Sequence, residues 1–424
     1  MKVLVIGSGG REHTLVWKVS QNSKVEKIYA IPGNPGIAQL AECVDLDINN
    51  NQDIVKFAQD NKIDLTIVGP EVPLTNGLVD ELAKVGLKAF GPTKVAAEIE
   101  GSKAFSKWLM KKYDIPTARF EVFEDADLAK KYVNELGAPI VIKADGLAAG
   151  KGVIIAQTVA EAVEAVDSIM CDKAFGSAGQ KVVIEEFLVG EEASILTFTD
   201  GETIVPMISA QDHKRIFNND EGLNTGGMGT YAPAPIITKD LLQEVQKTIL
   251  NPTIQAMKAE DRTYCGCLYA GLIITADGPK VIEFNARFGD PETQVVLPLL
   301  DSDLVEIMLA CINGKLADCQ INWKNGAAVC VVMSAGGYPG DYKKGDLITG
   351  INEAEEVGTL VFHAGTAKTS EGFTTNGGRV LGVTAFADDI KTAVDKAYGG
   401  VEKINFQGRH YRTDIAQRAL NRLK

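Results

Sequence analysis

The 424-residue sequence is poor in the features that announce most specialised chemistry. Its four histidines, His13, His213, His363 and His410, include no pair at the i, i+4 or metal-ligand spacing a zinc site uses. The seven cysteines, Cys43, Cys171, Cys265, Cys267, Cys311, Cys319 and Cys330, are odd in number and scattered, without a C-x-x-C pair. That pattern excludes a zinc ribbon, a thioredoxin-type motif and a disulfide framework. No G-x-S-x-G elbow is present, so serine-nucleophile hydrolysis has no support. No apolar run approaches the roughly 20 residues that cross a bilayer. The chain starts on a strand-like run, not on the basic, apolar and small-residue segments of a secretory leader. A cytoplasmic protein with reduced thiols and no membrane partner is expected.

Positive charge is also short. Against 56 Asp and Glu there are 43 Lys and Arg, a formal net charge of −13, which excludes a general nucleic-acid-binding surface. Any phosphate site must be local. What is present is an ordinary globular composition, 45% hydrophobic and 23% charged, with ample material for several cores. At roughly 100–200 residues per domain, the length predicts two to four domains.

Hydrophobic patterning divides the chain. Over residues 1–101, apolar runs at Val3–Ile6, Lys27–Ile31, Leu65–Val68 and Lys88–Phe90 alternate with helical patterns, which predicts a parallel α/β domain. An amphipathic helix over Ser102–Lys112 stops at the Asp114-Ile115-Pro116 turn. Residues 120–189, with strands at Ile140–Lys143, Gly152–Ala156 and Lys181–Phe187, predict a small mobile lid. Residues 102–119 and 190–313 form the expected catalytic body. It carries strands at Ala193–Phe198, Thr203–Met207, Tyr264–Thr275 and Lys280–Phe284, with a long Gly-rich loop over 211–233. Short β-like runs such as Ala327–Met333 and Arg379–Phe386 predict a mostly β carboxy-terminal domain over 325–424. The fold class expected is thus α/β and α+β, multidomain.

The first motif, "VLVIGSGGREH" over residues 3–13, has Gly7 and Gly9 where a dinucleotide fingerprint wants them, but Glu12 stands at the position of the packing glycine. The second strand ends in Pro32, with no acid to hold a ribose. A dehydrogenase is therefore disfavoured. What survives is a glycine turn into a helix, whose amides and dipole suit an anion, or which serves only as a tight turn.

"VIKADGLAAGKGV", residues 141–153, places Lys143 at a strand end before a hairpin with Gly146, Gly150, Lys151 and Gly152. Glycines let backbone amides approach phosphate oxygens, and lysine supplies a movable charge. The spacing is one residue short of a P-loop and leads into a strand, so this is a different polyphosphate grip. Burying Lys143 would demand an anion. In "VVIEEFLVGEEAS", residues 182–194, Glu191 and Glu192 could accept ribose hydroxyls or simply face solvent. In "VIEFNARFGDPETQ", residues 281–294, Glu283, Asn285 and Arg287 alternate along a strand and share a face. Carboxylate and amide oxygens suit Mg²⁺, and the guanidinium suits phosphate. Asp212, Lys214 and Arg215 in the long loop could reach substrates.

These strings, in order with "GPEVPL" (69–74), "EGSKAF" (100–105) and "NTGGMG" (224–229), resemble the glycinamide ribonucleotide synthetase family over essentially the whole chain. Its members are purine-biosynthetic ligases of the ATP-grasp superfamily. Two departures stand out: Leu223 where the family usually has proline, and Gly271 where many ATP-grasp relatives place a metal-binding acid. The resemblance implies ligation of glycine to phosphoribosylamine through glycyl phosphate, with ATP as substrate, Mg²⁺ or Mn²⁺ bound by Glu283 and Asn285, and a monomer without nucleic acid. It further implies that Lys103 and Lys143 contact ATP phosphates and that the 146–152 hairpin closes over them. The backbone of Glu185, Glu186, Phe187 and Leu188 would read adenine, and Glu192 would accept the ribose. Arg287, Asp212 and Lys143 are the implied catalytic residues, with Arg287 offsetting charge on the transferring phosphoryl group. Asp212, Asp290 and Glu292 are candidates for the glycine ammonium, and Gly9, Gly10, Asn34 and Glu71 line the implied ribosylamine phosphate cleft. A carboxylase or formate-using relative, and a nucleotide-sensing protein without chemistry, are the competing classes.

Overall fold

The structure, a computed structural model, describes residues 1–147, 152–172 and 176–423. Its first sheet is parallel and five-stranded, in the spatial order Glu42–Cys43, Lys27–Pro32, Lys2–Gly7, Leu65–Val68, Ala89–Phe90. The near-continuous apolar runs follow from position. Val3, Leu4, Val5 and Ile6 have no exposed surface because helices cover both faces. Each such side chain contributes about 1.5–3 kcal/mol of burial.

A second unit is an antiparallel four-stranded sheet in the order Phe120–Phe123, Val182–Glu186, Ile140–Ala144, Val153–Ala156. The helices Ala126–Leu136 and Val159–Val166 close its core with Val133, Ala162 and Val166. Opposite lies the body sheet, ordered Ile204–Pro206, Glu191–Thr199, Gly266–Thr275, Gly278–Asn285 and antiparallel throughout. Its residues Leu196, Phe198 and Tyr269 share a core with Val3, Leu15 and Phe90 of the first unit. The first unit and the body sheet are therefore packed together.

The largest difference from the sequence reading concerns residues 211–233. The expected loop holds two small ladders, Gln211–Asp212 against Gly229–Ala232, and Arg215–Phe217 against Glu221–Asn224. Polar strands with several glycines carry no apolar alternation, so the pattern hid them. The first ladder continues into a five-stranded sheet ordered Gln211–Asp212, Gly229–Ala232, Ala327–Ser334, Arg379–Ala387, Leu360–His363. One sheet thus crosses the expected division between residues 313 and 325. The 14-residue helix Ile390–Lys403 packs on it and buries Ala393, Ala397 and Val401.

Candidate active site

The three units meet at a cleft of about 450 Å³, lined among others by Arg11, Glu71, Lys103, Lys143, Glu192, Asp212, Glu283, Arg287, Asp290 and Arg379. Lys103 opens the helix Lys103–Lys112, whose start is fixed twice. The Ser102 hydroxyl accepts from Phe105 N at 3.0 Å, and Asp145 of the glycine hairpin accepts from Ala104 N at 3.0 Å. Lys103 Nζ donates to Gly146 O at 2.8 Å, so the lysine and the hairpin are already in contact. Burial draws the Lys103 ammonium below its usual range, opposed by Glu283 and assisted by Lys143.

Lys143 does have an anion, and it belongs to the protein. Glu185 forms ion pairs with Lys143 Nζ at 2.8 Å and with Lys107 Nζ at 2.9 Å. Burial alone would raise the Glu185 carboxyl, but Lys143 and then Lys107 hold it below the ordinary range. The Lys107 ammonium falls to about 8, mainly through burial, against the pull of Glu185. Lys107 was missed in the sequence, although it lies one helical turn after Lys103 and so on the same face. Glu185→Ala would leave two buried ammonium groups facing each other. It is expected to lower unfolding free energy by about 3–5 kcal/mol, read from denaturant midpoints.

The neighbouring acids divide by partner. Glu186 accepts from Arg119 N at 2.9 Å and Nε at 2.8 Å, and it lines the cleft beside Phe187 and Leu188. Glu191 is bound by Arg422 at 2.6 Å, whereas Glu192 lines the cleft and pairs with Lys214 Nζ at 2.9 Å. Gly146 and Gly152 line the cleft; Gly150 and Lys151 lie outside the described residues.

On the strand Gly278–Asn285 the alternation reads out as expected. Glu283 and Asn285 are adjacent, with Asn285 Nδ2 3.4 Å from Glu283 Oε1. That long contact is the only side-chain hydrogen bond of Glu283 among the described residues. Burial would raise its carboxyl, yet Lys214, Lys143 and Lys103 keep it below the ordinary range. An ionised, half-buried carboxylate with no close donor fits a divalent cation, and both donors are hard oxygens. Among the described residues no group of three or more His, Cys, Asp or Glu could hold a metal.

Arg287 is held by the protein's own groups. Its Nη2 donates to Asn285 Oδ1 at 3.1 Å and pairs with Glu100 Oε1 at 2.9 Å, its Nε pairs with Glu71 at 3.3 Å, and Nη1 donates to Phe288 O at 3.3 Å. The guanidinium is engaged on every nitrogen, which favours orientation of the Asn285 amide over direct contact with a phosphoryl group. Glu100, not singled out in the sequence, also accepts from Ala286 N at 2.6 Å.

The glycine turn spends its amide on the protein's own side chain. Gly9 N donates to Glu12 Oε2 at 2.6 Å, and the Arg11 amide lies against the Asp290 carboxylate. The anions at this helix start are thus the protein's own. Gly7, at φ +122°, leaves room for Glu12, because a Cβ there would stand 2.4 Å from Glu12 Cγ. Gly10 is packed by Gln294, whose Nε2 would lie 2.7 Å from a Cβ. Neither Gly9 nor Gly10 lines the cleft. Asn34 does not line the cleft either. Its Nδ2 donates to Ser8 O and His363 O, and its Oδ1 accepts from Gly36 N and Ile37 N. With every polar atom used, Asn34 ties the first unit to the carboxy-terminal sheet.

The remaining acids come from two segments, the strand Gln211–Asp212 and the stretch before the helix Thr293–Leu299. Asp212 has no side-chain hydrogen bond or ion pair among the described residues, and its carboxyl is pushed up to about 7. Burial is the main cause, opposed by Lys214 and reinforced by Glu292 and Glu192. Glu292 Oε1 accepts from Tyr269 Oη at 2.9 Å and Ser194 Oγ at 3.2 Å. Asp290 is paired with Arg379 at 3.2 Å and accepts from Gln294 at 2.9 Å. Arg379, from the carboxy-terminal sheet, was invisible as a site residue because nothing in its own segment marks it. Arg215 turns away and donates to Gly222 O at 2.6 Å.

Two facing antiparallel sheets with a lysine-rich cleft between them, and a strand carrying carboxylate and amide, define an ATP-grasp ligase. A biotin carboxylase domain from Hydrogenobacter thermophilus, solved with MgADP and bicarbonate, superposes at a TM-score of 0.74 over 97% of this chain and 91% of that one; at 18% identity it shows the fold alone. The chain matches the phosphoribosylglycinamide synthetase N domain over residues 1–100, the ATP-grasp (A) domain over 101–293 and the C domain over 328–418, and it belongs to that family. It is 52% identical over 416 residues to the phosphoribosylamine–glycine ligase of Caldanaerobacter subterraneus, covering 98% of this chain and 99% of the relative. The Neisseria meningitidis phosphoribosylamine–glycine ligase is 51% identical with both chains fully covered. The crystal structure of the Thermotoga maritima phosphoribosylamine–glycine ligase gives a TM-score of 0.84 at 33% identity, covering 98% of this chain and all of that one.

Proposed function

We propose that the chain joins glycine to phosphoribosylamine, cleaving ATP to ADP and phosphate, and so makes glycinamide ribonucleotide in de novo purine biosynthesis. The observation that carries this reading is the meeting, in one cleft, of Lys103 and Lys143 with Glu283 and Asn285 and with the open acid Asp212. ATP lies with adenine at the backbone of Glu185 to Leu188, ribose at Glu192 and phosphates at Lys103, Lys143 and Gly146 to Gly152. Glu283 and Asn285 hold Mg²⁺ or Mn²⁺, which when bound neutralises charge on the transferring phosphoryl group.

A glycine carboxylate oxygen attacks the γ-phosphorus, and the bond to the bridging oxygen breaks with its electron pair leaving on ADP. The ribosylamine nitrogen then attacks the acyl carbon of glycyl phosphate, the C–N bond forms, and inorganic phosphate departs. Asp212, with Asp290 and Glu292 beside it, faces the amine groups and takes the proton released from the attacking nitrogen. Glu71 and Glu100 fix Arg287, which orients Asn285. Arg11 and Arg379, which line the cleft beside the turn, are the cations for the 5′-phosphate. The protein acts as a cytoplasmic monomer; no helix of the described residues is long and apolar enough to cross a membrane.

ADP formation should require glycine and phosphoribosylamine together, and formate or bicarbonate should not replace glycine. ADP release indifferent to glycine would overturn the reading, and no ADP release with both substrates would favour a nucleotide sensor. A pH prediction follows from Asp212. With its carboxyl at about 7, the ionised acceptor is lost as pH falls through that value, so kcat/KM should rise with pH to a plateau above it. Asp212→Asn should remove that limb along with most activity.

A further inference from the structure

The polar hairpin between Arg215 and Asn224 has no role in the chemistry above, yet it is tied by hydrogen bonds at both its base and its tip. Its strands carry Lys214 and Asp212 at one end and Asn224, Thr225 and Gly226 at the other, and these five line the cleft. The base is fixed within itself, since Thr225 N and Thr225 Oγ1 each donate to Lys214 O at 2.8 Å. The tip, by contrast, is held from the far end of the chain.

Arg412 is the centre of that grip, with 1% of its surface exposed. Its Nη1 donates to Asp220 Oδ1 at 2.9 Å and to Arg215 O at 3.1 Å, while Nε and Nη2 donate to the two oxygens of Asp414 at 2.7 Å each. Asp414 Oδ2 accepts from Asn219 N at 2.8 Å, and Thr413 N donates to Asn218 Oδ1 at 2.9 Å. Arg418 pairs with the second Asp220 oxygen, and His410 Nε2 lies 2.9 Å from Ile216 O. Asn219 and Asp220 sit at φ +58° and +57°, a left-handed pair that short side chains with local partners tolerate. A buried arginine bridging two carboxylates adds little net stability over apolar packing, but its geometry is strict. Such an arrangement suits a segment whose position matters more than its stability.

We propose that the carboxy-terminal segment from His410 to Arg418 is a latch that sets the hairpin, and through it Lys214 and Asp212, against the cleft. Arg412 is its central positioning residue, and the inference rests on the ligase reading for the work those two residues do. Lys214 is the cation nearest the ribose acid Glu192, and it moderates Asp212. A hairpin free to tilt would displace both together.

The test uses the full-length protein. Asp220 lies at the hairpin tip with about a third of its side chain exposed, so Asp220→Ala unlatches the tip without emptying the core. Its glycine-dependent turnover should fall on the order of tenfold to a hundredfold, the scale of an ångström-sized misplacement. The thermal midpoint should stay within about 4 °C. Amide exchange over residues 213–226 should quicken, and Asp220→Asn, which keeps the acceptor for Arg412, should recover much of the rate. Asn218→Ala, which removes the separate contact to Thr413, should act in the same direction. Wild-type turnover in a variant whose hairpin exchanges faster would overturn the latch, and so would a loss of turnover with hairpin exchange unchanged. Failure of the wild type to release ADP with glycine would instead sink the ligase reading and leave the exchange comparison standing.

Discussion

Glu283→Gln should lower glycine-dependent ADP release by on the order of 10²–10³-fold at ordinary Mg²⁺. The carboxylate is half-buried, held below the ordinary range by Lys214, Lys143 and Lys103, and among the described residues has only one long hydrogen bond. Gln keeps the shape and one oxygen and removes the charge, so Lys103 and Lys143, which we propose contact the ATP phosphates, remain. Nucleotide affinity should therefore hold within about threefold, while the Mg²⁺ concentration for half-maximal rate rises at least about tenfold. A titration of ADP release against Mg²⁺ reads this directly. An unaltered Mg²⁺ response would remove Glu283 from the metal site.

Arg287→Ala should be as damaging, by another route. The guanidinium holds Glu100 at 2.9 Å, Glu71 at 3.3 Å and the Asn285 carbonyl at 3.1 Å. Burial raises the Glu100 carboxyl, and Arg287 is the chief opposing influence. Removal strands that acid in the interior at a cost of about 3–5 kcal/mol, and it frees Asn285 to rotate. Turnover should fall on the order of 10³-fold with ATP affinity largely intact. Arg287→Lys separates the two effects: it retains charge near Glu100 but cannot span three acceptors, so stability should recover more than turnover. Recovery of turnover without recovery of stability would contradict the positioning role.

Much of the fold was legible for a simple reason. Parallel strands covered on both faces must be apolar throughout, so Val3–Ile6 and Leu65–Val68 could be read at sight. Glu283 and Asn285 were legible as a pair because side chains on a strand alternate, whereas the strand ends at Asn285 and Arg287 lies beyond it. Local pattern says nothing about partners far along the chain. Lys143 was expected to need an anion, and its anion is Glu185, paired also to a helix lysine, Lys107, in a different segment. Glu12 broke the dinucleotide fingerprint visibly, but only the fold shows its carboxylate capping Gly9. Asn34 looked like a cleft residue because it follows a strand end, and four hydrogen bonds to backbone show it to be a tie between units. The hairpin from Arg215 to Asn224 escaped detection because its order comes from Arg412 and Asp414, nearly two hundred residues later.

The most direct test of the account is a crystal structure of the protein with a non-hydrolysable ATP analogue, Mg²⁺ and glycine. The account predicts the triphosphate between Lys103, Lys143 and the strand Gly278–Asn285, a cation on Glu283 and Asn285, and glycine with its carboxylate toward the γ-phosphate. A triphosphate bound outside that cleft, or a cation bound without Glu283, would contradict it.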